Sequence, residues 1–142
     1  MQKPFLEALK DGPLVFDGAI GTQLYERGIF INKSFDDANL TRPELVKAVH
    51  EDYVDTGADV ITTNTFAANR VKLKRHGLED KTEAIVRAGV RLARAAAGRH
   101  VYVAGSVGPT GLNPAMATES EMTEIRGAFR EQIGWMLEEG VD

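Results

Sequence analysis

The chain has 142 residues, of which 43% are hydrophobic and 27% charged, and its net charge at pH 7 is −4. That length and balance fit one ordinary globular domain, and an acidic chain of this kind argues against a nucleic-acid surface. Without cysteine, disulfides, thiolate metal ligands and a cysteine nucleophile are excluded from this chain. No apolar run nears the roughly 20 residues that cross a bilayer, and Glu7, Lys10 and Asp11 break up any signal-peptide core, so a cytoplasmic protein with no membrane partner is expected.

Residues 4–10 read as a helix with Phe5, Leu6 and Leu9 on one side, and Gly12-Pro13 punctuates it. Leu14-Val15-Phe16 is an apolar run of strand length and is expected to be a short buried strand. Asp17 stands at its carboxyl end, and Gly18-Ala19-Ile20-Gly21 turns into a helix over residues 23–27 that Gly28 ends. The glycines let the backbone turn sharply and let a ligand approach it, while N–H groups at a helix start favour an anion. A carboxylate beside N–H donors suits a zwitterion, which points to an amino-acid site at Asp17, Gly18 and Ala19. The alternative is that Asp17 caps the helix and the glycines only make the turn.

Residues 29–40 carry no periodicity and read as a long loop anchored by Phe35. Thr41 and Glu44 predict a capping box, with Pro43 in the first turn, before a helix that places Val46, Val49 and Tyr53 on one face and stops at Gly57. Residues 59–63 form the next strand, rich in β-branched side chains. A short helix over 66–75 ends at Gly77, and Asp80 with Glu83 predicts a second box before a stripe of Ile85, Gly89, Leu92 and Ala96. Residues 101–105 make a third strand, and 106–117 a loop rich in glycine and proline. Thr118 with Glu121 predicts a third box, opening a helix whose face is Met122, Ile125, Phe129, Ile133 and Met136.

Strands alternating with helices point to βαβ units in a parallel sheet. Thr56-Gly57-Ala58-Asp59 closes a helix and opens a strand, and Glu139-Gly140-Val141-Asp142 repeats that junction, so another strand is expected to follow. Three strands cannot close a (β/α)8 barrel, which needs eight and roughly 250 residues, and alone they would leave two unpaired edges. The expected fold class is therefore α/β: the amino-terminal part, about three to four βα units, of a (β/α)8 TIM barrel, with residues 1–142 a single incomplete domain. A complete small α/β domain is the alternative.

In such a barrel the site lies at the carboxyl ends of the strands. Asp17-Gly18-Ala19, Thr63-Asn64-Thr65-Phe66 and residues 105–109 would then share one mouth. Asn64 and Thr65 offer donors and acceptors, or alternatively cap the next helix, and Phe66 offers an apolar wall. His50, His76 and His100 fall elsewhere, fit no metal spacing and are read as structural or exposed. Arg87, Arg91 and Arg94 are read as a solvated helix face. The Gly18–Gly21 turn lacks the G-x-G-x-x-G pattern and a P-loop lysine, so it is no nucleotide fingerprint.

Asp17-Gly18-Ala19-Ile20-Gly21-Thr22, Pro43-Glu44, His50-Glu51-Asp52-Tyr53, and Gly57-Ala58-Asp59-Val60-Ile61-Thr62-Thr63-Asn64-Thr65-Phe66 follow one another in this order. With His76-Gly77-Leu78-Glu79-Asp80 and Gly105-Ser106-Val107-Gly108-Pro109, the chain resembles the homocysteine S-methyltransferase barrel across nearly its whole length. The resemblance is nearest to the branches that form the first module of cobalamin-dependent methionine synthase or are fused to methylenetetrahydrofolate reductase. It implies methyl transfer to the homocysteine sulfur, giving methionine, with zinc favouring the thiolate.

In that family three cysteines near the ends of later strands hold the zinc, and a glutamate after the fourth strand helps bind the substrate ammonium. This chain carries none of them, so the resemblance leaves it with no catalytic residue and no metal ligand. What carries over is Asp17 for the ammonium, the backbone N–H groups of Gly18 and Ala19 for the carboxylate, and Thr63, Asn64, Thr65 and Phe66 as the neighbouring wall. The resemblance implies methylcobalamin or methyltetrahydrofolate as the methyl donor, a choice these residues do not make. The expected partners are homocysteine and either the remainder of the barrel or a second copy, and the chain alone should be inactive. A non-catalytic half-barrel that pairs with another polypeptide, or an unrelated phosphate-binding barrel fragment, is the alternative.

Overall fold

In the computed structural model, which describes residues 2–30 and 32–142, three extended segments run parallel and in chain order. Ile31, inside the predicted 29–40 loop, and Met1 lie outside the described residues. β1 (Val60–Thr62) pairs with β2 (Tyr102–Ala104) in the register Val60↔Tyr102, Ile61↔Val103, Thr62↔Ala104. The segment predicted as the first strand lies on the far side of β1 and makes a single bridge, Phe16 to Val60. The Asp17 N–H donates to Val60 O at 2.9 Å and the Val60 N–H to Val15 O at 3.1 Å. The expected burial of this strand is not met: Val15 is 61% and Phe16 47% exposed. It forms the edge of the sheet, where Phe16 meets the Phe5 ring edge-on at 6.5 Å.

The repeated Gly-x-Asp junctions adopt one geometry. Gly57 and Gly140 take φ of 95° and 85°, left-handed values that favour glycine. Asp59 donates its N–H to Val15 O at 2.8 Å and accepts the Val15 N–H on Oδ2 at 2.8 Å. Asp142 donates to Val103 O at 2.9 Å and accepts the Val103 N–H on Oδ2 at 2.8 Å. Asp142 therefore stands beside β2 as Asp59 stands beside residues 14–16. Strands that neighbour one another in sequence order follow the arrangement of a barrel, whereas a doubly wound sheet reverses direction partway.

The helices are α1 (Phe5–Asp11), α2 (Ile20–Glu26), α3 (Ala38–Thr41), α4 (Pro43–Asp55), α5 (Arg70–Leu73), α6 (Thr82–Ala97) and α7 (Glu119–Glu138). The predicted 29–40 loop thus contains α3, with Ala38 and Asn39 buried. Two of the three predicted capping boxes do not form. Thr41 is the last residue of α3, so its hydroxyl bonds back to Asp37 O at 3.0 Å, while Glu44 pairs with Arg42. Residues 79–81 form a 3-10 turn that leaves Lys81 before α6, and Glu83 turns to Arg87 instead. The third box is present: Thr118 Oγ1 accepts the Glu121 N–H at 3.2 Å, and Glu121 Oε2 accepts the Thr118 N–H at 2.8 Å. The helix predicted over 66–75 shrinks to α5 and a 3-10 turn, because Asn69 caps it by accepting the Lys72 N–H at 2.9 Å.

Packing centres on α6. Ile85, Val86 and Val90 meet Leu73 and Met136, Ala93 and Ala97 cover Ile61, Val101 and Val103, and Leu92 reaches the cluster of Leu24, Val46 and Val49. Each fully buried aliphatic side chain contributes about 1.5–3 kcal/mol. The arginine stripe is more than a solvated face: Arg87 and Arg91 pair with Glu139, and Arg94 with Asp142, tying α6 to the end of α7. Among the described residues no helix is long and apolar enough to cross a membrane.

Candidate functional site

The polar residues at the strand ends are locked together before any ligand is considered. Asp17, at the end of the edge segment, accepts the Thr62 N–H on Oδ2 at 2.8 Å and the Thr62 hydroxyl at 3.1 Å. Burial pushes its carboxyl up from the ordinary aspartate value, and the Thr62 bonds oppose that shift. A carboxylate offers about four lone-pair positions, so Asp17 keeps capacity for a cation. Asp17 and Asn64 lie at the same end of the sheet, since Thr62 joins one and the next turn carries the other.

The turn after β1 is wired to the loop after β2. The Ser106 N–H donates to Thr63 Oγ1 at 3.0 Å, Thr63 and Thr65 hydroxyl oxygens lie 2.6 Å apart, and the Thr65 hydroxyl donates to Ser106 O at 2.8 Å. This assignment commits both threonine protons. The Gly108 N–H meets Phe66 O at 2.9 Å, and a Cβ at Gly108 would stand 2.4 Å from that oxygen, so only glycine fits.

Asn64 is neither a helix cap nor a free donor. Its Nδ2 gives one hydrogen to Phe35 O at 2.8 Å and the other to Asn39 Oδ1 at 3.0 Å. Asn39, buried in α3, returns a bond from Nδ2 to Asn64 O at 2.8 Å and a second to Ile85 O at 3.0 Å. Gly18 also differs from expectation. The space beside its α-carbon is filled by the Tyr53 hydroxyl, 2.8 Å from where a Cβ would stand, and that hydroxyl donates to Ala19 O at 3.0 Å. Here the missing side chain admits Tyr53 rather than a ligand.

A cavity of about 370 Å³ opens at this end of the sheet. Ala19, Thr63, Asn64, Thr65 and Phe66 line it with Ser106, whereas Asp17 and Gly18 are outside its lining and reach it only through their neighbours Thr62 and Ala19. No protein acceptor among the described residues takes the N–H of Gly18 or Ala19. Sequence reasoning missed Asp36. This carboxylate, 5% exposed, lines the same cavity, accepts the Ala67 N–H at 3.0 Å and is pushed up by burial. Its only signal was the position beside the anchor Phe35, in a stretch with no periodicity to read. Asn39 and the Tyr53 hydroxyl were missed for the same reason: their partners are distant in sequence. His50 is fully buried on α4 and its two ring nitrogens have no hydrogen-bond partner, while His76 and His100 are exposed. No three His, Asp or Glu side chains converge among the described residues.

Consecutive parallel strands with a polar cluster and a cavity at their carboxyl ends are the arrangement of part of a (β/α)8 barrel. The model of the homocysteine S-methyltransferase family matches residues 14–142, and the chain belongs to that family. It is 32% identical over 149 aligned residues to methionine synthase of Mycobacterium tuberculosis, covering 96% of this chain and 12% of that protein. The methionine synthase of Mycobacterium leprae gives the same figures of 32%, 96% and 12%. Among solved structures, the oxidised form of the homocysteine methyltransferase MmuM from Escherichia coli superposes with a TM-score of 0.80 at 29% identity, over 96% of this chain and 54% of MmuM. Its metallated form gives 0.79 at 28% identity. The chain thus spans about half of MmuM, and its fold is part of a homocysteine methyltransferase barrel.

Proposed function

We propose that residues 1–142 are the amino-terminal portion of a homocysteine S-methyltransferase barrel and supply the amino-acid-binding half of its site. The observation that supports this reading is the Asp17 carboxylate, held by Thr62 at 2.8 Å, close in sequence to N–H groups of Gly18 and Ala19 that no acceptor among the described residues takes, next to a cavity of about 370 Å³ that Thr62 and Ala19 line. Asp17 receives the substrate ammonium, the N–H groups its carboxylate, and Phe66 walls the side chain that carries sulfur. Thr63, Asn64 and Thr65 hold that wall in place and present their remaining acceptor positions. Zinc in the complete barrel favours the thiolate, but the donors for it are not here: the chain has no cysteine and no convergent group of His, Asp or Glu among the described residues. The methyl donor, methylcobalamin or methyltetrahydrofolate, is met by the rest of the protein.

The exposed Val15 and Phe16 on the sheet edge favour a covering layer, supplied by the remainder of the barrel or a second copy. The chain alone is expected to give no methyl transfer.

The test is calorimetric titration of the full-length polypeptide with L-homocysteine and with 4-mercaptobutyrate, which lacks the ammonium. The wild type should prefer homocysteine by at least about tenfold, and Asp17→Asn, which keeps an acceptor for the Thr62 N–H, should lose that preference. Equal homocysteine affinity in Asp17→Asn and wild type would overturn the assignment.

A further inference from the structure

A second cavity, of about 220 Å³, lies against the first, sharing Phe35, Asp36 and Ala67 with it. Lys33, Lys72, Arg75 and His76 also line it. This concentration is unusual in a chain with a net charge of −4. Elsewhere six arginines find carboxylates, Arg27 with Asp52, Arg42 with Glu44, Arg70 with Glu131, and Arg87, Arg91 and Arg94 at the end of α7, while Arg99, Arg126 and Arg130 line neither cavity. Among the described residues Lys33, Lys72, Arg75 and His76 enter no ion pair.

The one carboxylate in the lining, Asp36, feels the charge of Lys72 but forms no ion pair with any of them among the described residues. Asp36 is 5% exposed and its oxygens already accept the Ala67 N–H at 3.0 Å and the Ser34 hydroxyl at 3.5 Å. Two lysines, an arginine and a histidine therefore share the lining with a single buried acid. Lys72 stands at the junction between the cavities: its ammonium lies 5.5 Å from the centroid of the Phe66 ring, which belongs to the first cavity. Arg75 shares that lining, and its guanidinium lies against Gly111, where a Cβ would come within 3.1 Å of it.

We propose that this pocket is an anion subsite that takes one compact oxyanion, a carboxylate or phosphate group, beside the amino-acid cavity. Charge-assisted bonds from Lys72 and Arg75 hold the anion, and Lys33 and His76 close the pocket around it. The subsite stands apart from the homocysteine reading, since none of its cations belongs to that site.

The experiment is calorimetric titration of the full-length polypeptide, at about 0.15 M salt so that diffuse attraction is screened, with inorganic phosphate and separately with glutarate. Saturable binding of either probe, weakened by about tenfold or more in the double variant Lys72→Gln/Arg75→Gln, supports the subsite. The probe that binds distinguishes free phosphate from an organic carboxylate as the source. The glutamines keep the side-chain stems, and a thermal melt of the double variant verifies its fold. Homocysteine affinity, measured in parallel, should stay within about twofold. No saturable binding of either probe by the wild type, or equal binding in the double variant, overturns the proposal.

Discussion

Gly89→Ala tests whether the wall of the candidate site is held from behind. Gly89 is buried in α6, and a Cβ there would stand 2.7 Å from Asn39 Nδ2, 2.7 Å from Thr65 Cγ2 and 3.3 Å from Asn64 O. Asn39 cannot simply swing away, because its Nδ2 holds Asn64 O at 2.8 Å and Ile85 O at 3.0 Å. Losing those two bonds costs about 1 kcal/mol each, and forcing a methyl into a filled core adds about 1–3 kcal/mol. Alanine's better helix propensity returns about 1 kcal/mol, so the net expectation is a loss of about 2–4 kcal/mol. The matched control is Gly127→Ala in α7, where nothing lies within 4 Å of the added Cβ. It should stabilise by about 0.5–1 kcal/mol, so the same substitution changes sign between two helices. Urea unfolding of the full-length polypeptide reads both as midpoint shifts at constant m. In an Asn39→Ala background the Gly89→Ala penalty should shrink, because the Asn39 amide is then absent. A Gly89→Ala protein as stable as Gly127→Ala would refute the bracing of Asn64 and Thr65 through Asn39.

Further outcomes follow from buried and capping groups. Burial holds His50 at a pKa of about 4, below the ordinary 6.5, so the unfolded chain takes up a proton first. Stability is intact above pH 6.5 and falls as pH drops towards 4, by about 3 kcal/mol in total, and His50→Leu should flatten this limb in unfolding titrations. Asp36 runs the other way. Burial raises its carboxyl above the unfolded value, so its charged form costs the fold stability, which is regained as pH falls through the folded pKa towards 3.8; Asp36→Asn should abolish that slope. Thr118→Ala removes the acceptor for the Glu121 N–H and should cost about 1 kcal/mol by chemical denaturation, whereas Thr41→Ala, whose predicted box does not exist, should not show a capping loss.

The division between what could be read and what could not follows the range of the interactions. Local chemistry was legible: the β-branched run of β1, the short apolar run of β2, the Thr118 box, the glycine stops at Gly28, Gly57 and Gly140, and the matching Asp59 and Asp142 junctions. The motif order from Asp17 to Pro109 sufficed to place the chain in its family. The false boxes at Thr41 and Asp80 arose because the same local pattern is satisfied equally well by a preceding turn.

Which bonds each candidate residue already makes was decided only in three dimensions. Asp17 looked like a free carboxylate, but β1 brings Thr62 onto it across 45 residues of chain. Asn64 looked like a ligand donor, but α3 spends its amide on Asn39 and Phe35. Gly18 looked open to a ligand, but α4 delivers the Tyr53 hydroxyl into that space. Sequence alone determined the alternation of strands with the longer helices and the end of the sheet where polar groups collect, though not α3, because periodicity and turn chemistry act between neighbours. Tertiary structure decided which of those polar groups remain available, because bonds to Phe35 and Asn39 use both hydrogens of the Asn64 amide, whereas the bonds from Thr62 leave Asp17 with lone pairs to spare.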